Sequence, residues 1–212
     1  MQNKSNTSFI TAFVITIVLF AITGIFLLVK GKAGSFLLIN GNYSANADWF
    51  FKYYTYAGDG AMWVPAGLYV LIRKRKYFPL LILGIIVSTL LTQLLKRVVF
   101  AEELRPVAHF AYEAIHTVPG VRMNRQHSFP SGHTAQAFTM ALLLSYILTK
   151  RYWAFILPLL ALGVGYSRVY LGQHFVTDVL GGMAIGVISA YLSIVLASLL
   201  SKKATLQEIN KP

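Results

Sequence analysis

The sequence predicts an all-α membrane domain, a bundle of six spanning helices with a short interfacial helix between the third and fourth. Three observations carry this. The chain is 56% hydrophobic and only 12% charged, about half the charge of a typical soluble domain. Its 212 residues hold 19 Lys and Arg, 7 Asp and Glu, and no Cys. Uncharged runs of spanning length recur along the whole chain, and six spans of about 20 residues each would take about 120 residues. Such a composition cannot clothe a surface that faces water. It excludes a soluble globular enzyme, a disordered chain and a disulfide scaffold, and residues 1–212 read as a single membrane-embedded domain.

Residues 10–29 carry no charge and are long enough to cross. Lys4 precedes them, as in a signal peptide. The run is longer than a signal's apolar core, however, and the nearest small-x-small site, Ala45-Asn46-Ala47, lies far downstream, so the segment reads as a retained span. Residues 54–72 form the weakest span, with Asp59 and Pro65 inside it. Residues 77–95 are strongly apolar, residues 133–149 are apolar after their first turn, and residues 152–171 and 179–200 complete six. Gly182-x-x-x-Gly186 is a pattern of close helix packing.

Short basic loops set the orientation. Arg73-Lys74-Arg75-Lys76, Lys150-Arg151 and Lys202-Lys203 fall on one side of a six-span chain, which the positive-inside rule makes cytoplasmic together with both termini. Six of the 7 acidic residues (Asp48, Asp59, Glu102, Glu103, Glu113 and Asp178) fall on the other side. The net charge of +12 is then explained by cytoplasmic turns and anionic lipid headgroups, not by nucleic acid. On the outer side, residues 30–53 hold Trp49, Phe50, Phe51 and Tyr53, an interfacial aromatic belt. Residues 96–130 form a 35-residue connection, longer than structural need and therefore functional, in which residues 107–116 suit a short interfacial helix.

The polar residues gather at the outer face. Lys96 closes the third span and Arg105-Pro106 sits in the long loop. Pro130-Ser131-Gly132-His133 opens the fourth span, Ser167-Arg168 closes the fifth, and His174 and Asp178 open the sixth. His174 and Asp178 stand four apart, so on a helix the carboxylate can take the proton of one ring nitrogen and leave the other free as nucleophile or base. A His–Asp cap at a helix entry is the simpler reading of that pair alone. Ser131-Gly132-His133 begins a helix, where free backbone N–H groups and the positive dipole end suit a phosphate. By itself it is also an ordinary Ser cap. Lys96, Arg105 and Arg168 could each snorkel to headgroups. Together with the helix start they make a site for an anion of about −2 charge, and two His beside fixed cations suit phosphoryl transfer.

These motifs resemble those of the phosphatidic acid phosphatase type 2 superfamily. Ser167-Arg168, five residues, His174, three residues and Asp178 match its third signature, and Pro130-Ser131-Gly132-His133 match its second. The first signature is Lys, six residues, Arg-Pro. In this chain eight residues separate Lys96 from Arg105-Pro106, so either two extra residues bulge or Arg97 stands in for Lys96. The resemblance implies a metal-independent enzyme without cofactors. In it His174 attacks phosphorus and forms a phosphohistidine, Asp178 orients it, and His133 serves as acid and then base. Lys96, Arg105, Ser131, Gly132 and Arg168 hold the phosphoryl oxygens. The implied substrate is a membrane lipid phosphate or pyrophosphate, of the undecaprenyl pyrophosphate, phosphatidylglycerophosphate, phosphatidic acid or lipid A type, taken at headgroup level on the extracytoplasmic face. The small size and brief turns point to a bacterial inner membrane. A lipid phosphotransferase using the same site stays open, as does a lipid-phosphate binding or transport protein that does no chemistry.

The remaining polar residues have other readings. His109, His116 and His127 match no compact zinc spacing, so no metal is expected. Arg122, Arg125 and His127 are placed to touch a headgroup or a second phosphate. Glu102, Glu103 and Glu113 read as solvated loop charges and Asp59 as a satisfied structural carboxylate. Tyr166, Tyr170 and Gln173 read as packing or rim residues.

Overall fold

The computed structural model describes residues 2–209, the side chains of residues 2, 3, 112 and 203–209 excepted. The two chain ends, which the sequence assigns to the cytoplasm, therefore fall at positions outside the described residues. The described chain is all helical. Its α-helices are α1 (Gln2–Asn40), α2 (Ala45–Tyr54), α3 (Trp63–Arg73), α4 (Phe78–Leu94), α5 (Pro106–His109), α6 (Gly132–Leu148), α7 (Arg151–Tyr170) and α8 (Val176–Ile209).

Among the described residues four stretches are long and apolar enough to cross a membrane: Lys4–Asn40, Arg75–Val99, Arg151–Tyr170 and Val176–Lys202. The other two expected spans are shorter. Residues 54–72 do not form one helix. After α2, two 3-10 turns (Thr55–Gly58 and Gly60–Met62) flank an extended Asp59, and α3 has 11 residues. Two glycines around an aspartate stop the α-helix there. Helix α6 has 17 residues, about 25 Å at the usual rise, and it is the most enclosed element, with buried side chains on every face.

The first helix is longer than expected, running on to Asn40 through Gly31, whose φ of 69° only glycine adopts readily. Part of residues 30–53 is thus helix, and α2 supplies the rest, with the Ser44 hydroxyl accepting from the Ala47 amide. Trp49, Phe50 and Tyr53 are exposed, while Phe51 turns inward against Tyr166 and Tyr170. The single helix expected over residues 107–116 is instead α5 plus a 3-10 turn at Tyr112–Ala114. Phe110 is extended between them, and its ring stacks on Phe36 at 5.4 Å, a packing contact in place of a helical turn.

Glycines let the helices that carry the site approach closely. A methyl group added at Gly182 would stand 2.6 Å from the Ser131 carbonyl oxygen and 2.7 Å from Thr134 Cβ. At Gly186 it would stand 2.5 Å from Phe138 Cβ. The Gly182-x-x-x-Gly186 pattern is therefore the contact between α6 and α8. It lets the Ser131 amide donate to the Asp178 carbonyl at 2.9 Å. Chain direction places the ends of α4 and α7 and the starts of α6 and α8 at one end of the bundle, and the basic turns around Lys74 and Lys150 at the other.

Candidate active site

His174 lies in the turn between α7 and α8, where Gly172 takes a φ of 68°. The Gln173 and His174 amides both donate to the Arg168 carbonyl, at 2.9 and 3.1 Å, so the turn ties the end of α7 to the histidine. His174 and Asp178 are each 1% exposed. The His174 Nδ1 stands 3.2 Å from Asp178 Oδ2 although helix α8 begins only at Val176. An ionised carboxylate can only accept, so Nδ1 carries the hydrogen and Nε2 keeps its lone pair. Asp178 Oδ2 also accepts from the Ser128 hydroxyl at 2.5 Å and from the Phe175 amide at 2.9 Å. Ser128, wholly buried, belongs to the long loop, and its own amide donates to the Glu103 carbonyl. No sequence signal marked it, because it lies three residues before the recognisable Ser131.

Burial, followed by the positive charges of Arg105, Lys96, Arg168 and then His133, pushes His174 well below the ordinary imidazole range. The charges of these four groups therefore lie close enough to act on the ring. At neutral pH the imidazole is the free base, the form a nucleophile requires. Burial likewise lowers Arg105 from its usual value, with Asp178 opposing.

Arg105 and Arg168 are each 8% exposed, and Gln173 joins them. Its Oε1 accepts from Arg105 Nη1 at 3.3 Å and from Arg168 Nη2 at 3.3 Å, while its Nε2 donates to the Arg122 carbonyl at 2.8 Å. Gln173 is thus buried at the centre of the cluster, not at a rim, since only a side chain with both an acceptor and donors can link two guanidinium groups to the loop. Arg168 Nη1 donates to Thr55 Oγ1 at 2.8 Å. Its Nε has no hydrogen-bond partner among the described residues although it is fully buried. An orphaned donor of this kind is costly unless a ligand oxygen completes it.

The other sequence-selected residues fall as follows. Ser131 is wholly buried, and its Oγ caps α6, accepting from the Thr134 hydroxyl at 2.9 Å and the Thr134 amide at 3.4 Å. Its own hydroxyl hydrogen stays available. A methyl group on Gly132 would meet only Thr92 Cγ2 at 3.6 Å, so packing does not require glycine, and open access to the first amides of α6 is what it provides. Lys96 sits in a π-turn, Leu95–Val99, that prolongs α4. Such a turn takes up an inserted residue, and it lies where the first signature is too long. Lys96 feels the charges of Arg105, Asp178 and Arg168. Arg97 instead is exposed, with its Nε on Gln93 Oε1 at 2.9 Å, so it is Lys96 that the structure brings to the cluster. Glu103 forms an exposed ion pair with Lys32 at 3.7 Å. Tyr170 is buried and donates to Asp48, which also meets His116.

Residues 78–201 match the PAP2 superfamily. The chain is 31% identical over 166 residues to an undecaprenyl-diphosphatase of Sulfolobus acidocaldarius, covering 77% of each chain. Its fold resembles the crystal structure of Aquifex aeolicus LpxE with a TM-score of 0.69 and 33% identity, over 77% of this chain and 94% of the other. It also resembles a transmembrane PAP2-type phosphatidylglycerolphosphate phosphatase from Bacillus subtilis with a TM-score of 0.58 and 25% identity, over 92% and 96% of the two chains.

Proposed function

We propose, for a chain that belongs to the PAP2 superfamily, a metal-independent dephosphorylation of a membrane lipid phosphate or pyrophosphate through a phosphohistidine on His174. The observation that carries this reading is a buried imidazole whose Nδ1 is held by Asp178 and on which the charges of Arg105, Lys96 and Arg168 act. A site that merely bound an anion would need the cations but not two imidazoles.

In the first step His174 Nε2 gives its lone pair to phosphorus, and the bond from phosphorus to the lipid-side oxygen breaks. His133, protonated beside the bound anion, hands its proton to that oxygen. Asp178 stabilises the phosphorylated imidazolium through the Nδ1 hydrogen. In the second step water attacks phosphorus, His133 takes its proton, and the P–N bond breaks to release inorganic phosphate. The sum is one lipid phosphate and one water converted to one dephosphorylated lipid and one phosphate. Lys96, Arg105, the Arg168 Nε, the Ser131 hydroxyl and the Gly132 amide hold the phosphoryl oxygens and offset the charge that develops on them.

The bundle crosses the membrane six times, with α3 and its preceding turns, and α6, as the two shorter crossings. The turns around α5 lie at the membrane interface. The basic turns place their end in the cytoplasm, so the site opens on the extracytoplasmic face of what we read as a bacterial inner membrane. The names of the relatives, an undecaprenyl-diphosphatase and a phosphatidylglycerolphosphate phosphatase, support a lipid substrate. The test is phosphate release by the purified protein from a panel of lipid phosphates in EDTA. Release that is lost in His174→Ala and in His133→Ala, each eluting as the parent protein does, is the expected result. Binding without turnover, or release that EDTA abolishes, would overturn the reading.

A further inference from the structure

A cavity of about 690 Å³ adjoins the catalytic cluster and shares Lys96 and Arg105 with it. Arg97, Arg125, Gln126 and His127 line it as well, and no Asp or Glu does. From these observations we infer that the cavity is a subsite for a second phosphate of the substrate, which makes the preferred substrate a lipid diphosphate rather than a monophosphate. This rests on the phosphatase reading above and narrows its substrate class.

The first argument is charge. One phosphoryl group on Lys96, Arg105 and Arg168 already meets three cations, so Arg97 and Arg125 add two that the reacting phosphate does not need. Neither forms an ion pair with a carboxylate among the described residues. Among the described residues the Arg97 side chain donates to the neutral Gln93, and Arg97 and Arg105 both repel Lys96. Like charges gathered around a cavity without a counterion favour an anion as occupant.

The second argument is construction. The wall is fastened to the catalytic arginine. The Arg105 amide donates to the Arg125 carbonyl at 2.9 Å, its Nε to the Gln126 carbonyl at 3.0 Å and its Nη2 to the His127 carbonyl at 3.4 Å. His127 takes a φ of 56° to do so, a backbone state that residues with a side chain seldom adopt. Three consecutive carbonyls turned toward Arg105 leave the Arg125 and His127 side chains on the cavity. The π-turn adds the consecutive Lys96 and Arg97, which both line the cavity. Arg122 does not line this cavity, which separates it from Arg125 and His127.

The chemistry is consistent with the mechanism. His174 attacks the terminal phosphorus, the bond to the bridging oxygen breaks, and His133 protonates that oxygen. The second phosphate then leaves on the lipid as a monophosphate.

The test is the ratio of kcat/KM for a prenyl diphosphate to that for the prenyl monophosphate of the same chain. It is measured for the parent protein and for Arg97→Gln/Arg125→Gln, in phosphatidylcholine vesicles and in vesicles also holding phosphatidylglycerol. The parent ratio exceeds one, and the double variant lowers it by about tenfold to a hundredfold, the loss expected of charge-assisted contacts. Arg125→Lys keeps part of the ratio. Equal losses on both substrates, a ratio that does not move, or an effect confined to the anionic vesicles, the mark of a docking site for bilayer headgroups, would each overturn the proposal. Phosphate from neither substrate in the parent protein would remove the phosphatase reading and the proposal with it.

Discussion

The two halves of the site are built on opposite principles. Around His174 the fold fixes the ring through Asp178 and leaves Nε2 with its lone pair. Asp178 Oδ2 accepts from the imidazole, the Ser128 hydroxyl and the Phe175 amide, and glycines in α8 press it against the start of α6. Around Lys96, Arg97 and Arg125 the reverse holds, with a wide cavity, exposed arginines and no ion pair to a carboxylate among the described residues. A nucleophile needs one fixed orientation, and a buried, fully bonded network provides it before substrate arrives. A phosphate-holding surface needs strong fields and room, and an open cavity with excess positive charge provides both. Arg105 and Arg168 stand at the boundary, bonded to the scaffold through Gln173 yet short of one partner at Arg168 Nε.

The sharpest way to break this contrast is Arg168→Lys. Lysine keeps the charge but cannot serve Thr55, Gln173 and a phosphoryl oxygen at once. Activity falls by on the order of a hundredfold, as for the loss of one oxyanion donor, and a change within a factor of about two would mean that the orphaned Nε does not meet substrate. Ser128→Ala probes the fixed half. It removes one donor from Asp178 and lowers kcat by about tenfold while KM holds. A rise in KM with kcat intact would mean that Ser128 acts on binding. Gly182→Ala drives a methyl group into the Ser131 carbonyl and Thr134 and costs about 1 to 3 kcal/mol of stability, read as a lower Tm. An unchanged Tm would show that the approach of α6 and α8 is not tight.

The smallest effect is a slope with pH. The fold holds His174 below its ordinary value of 6.5, whereas the unfolded chain binds the proton near that value. The contribution of this histidine to stability is therefore complete above pH 6.5 and is lost as pH falls below it. His174→Gln flattens the decline below that point by about 1 kcal/mol per pH unit, seen in denaturant midpoints taken in acid. Parallel curves for the two proteins would contradict a buried neutral imidazole.

Much of this was legible in the sequence, and the parts that were not have physical reasons. The all-helical class followed from composition. The pairing of His174 with Asp178 followed from their types and their spacing of four. The span lengths did not follow. Hydrophobicity marks residues 54–72 as one crossing, yet Gly58, Asp59 and Gly60 divide them, and backbone propensity at three positions outweighs the apolar average. Residues 107–116 looked helical until Phe110 found a better partner in Phe36. The choice between Lys96 and Arg97 needed the π-turn, since one residue of slip in a helix rotates the face presented. Ser128 carried no signal and Gln173 read as a packing or rim residue, because their roles exist only through contacts made in the fold, with Asp178 in one case and with two arginines in the other.

The central claim is that a covalent bond forms between phosphorus and His174. It is tested most directly by acid-free denaturing quench of the protein turning over a lipid labelled in its phosphate, followed by peptide mapping. The expected result is base-stable, acid-labile label on the peptide that contains His174, and none in His174→Gln. Label on another residue, or steady turnover in the His174→Gln protein, would contradict it.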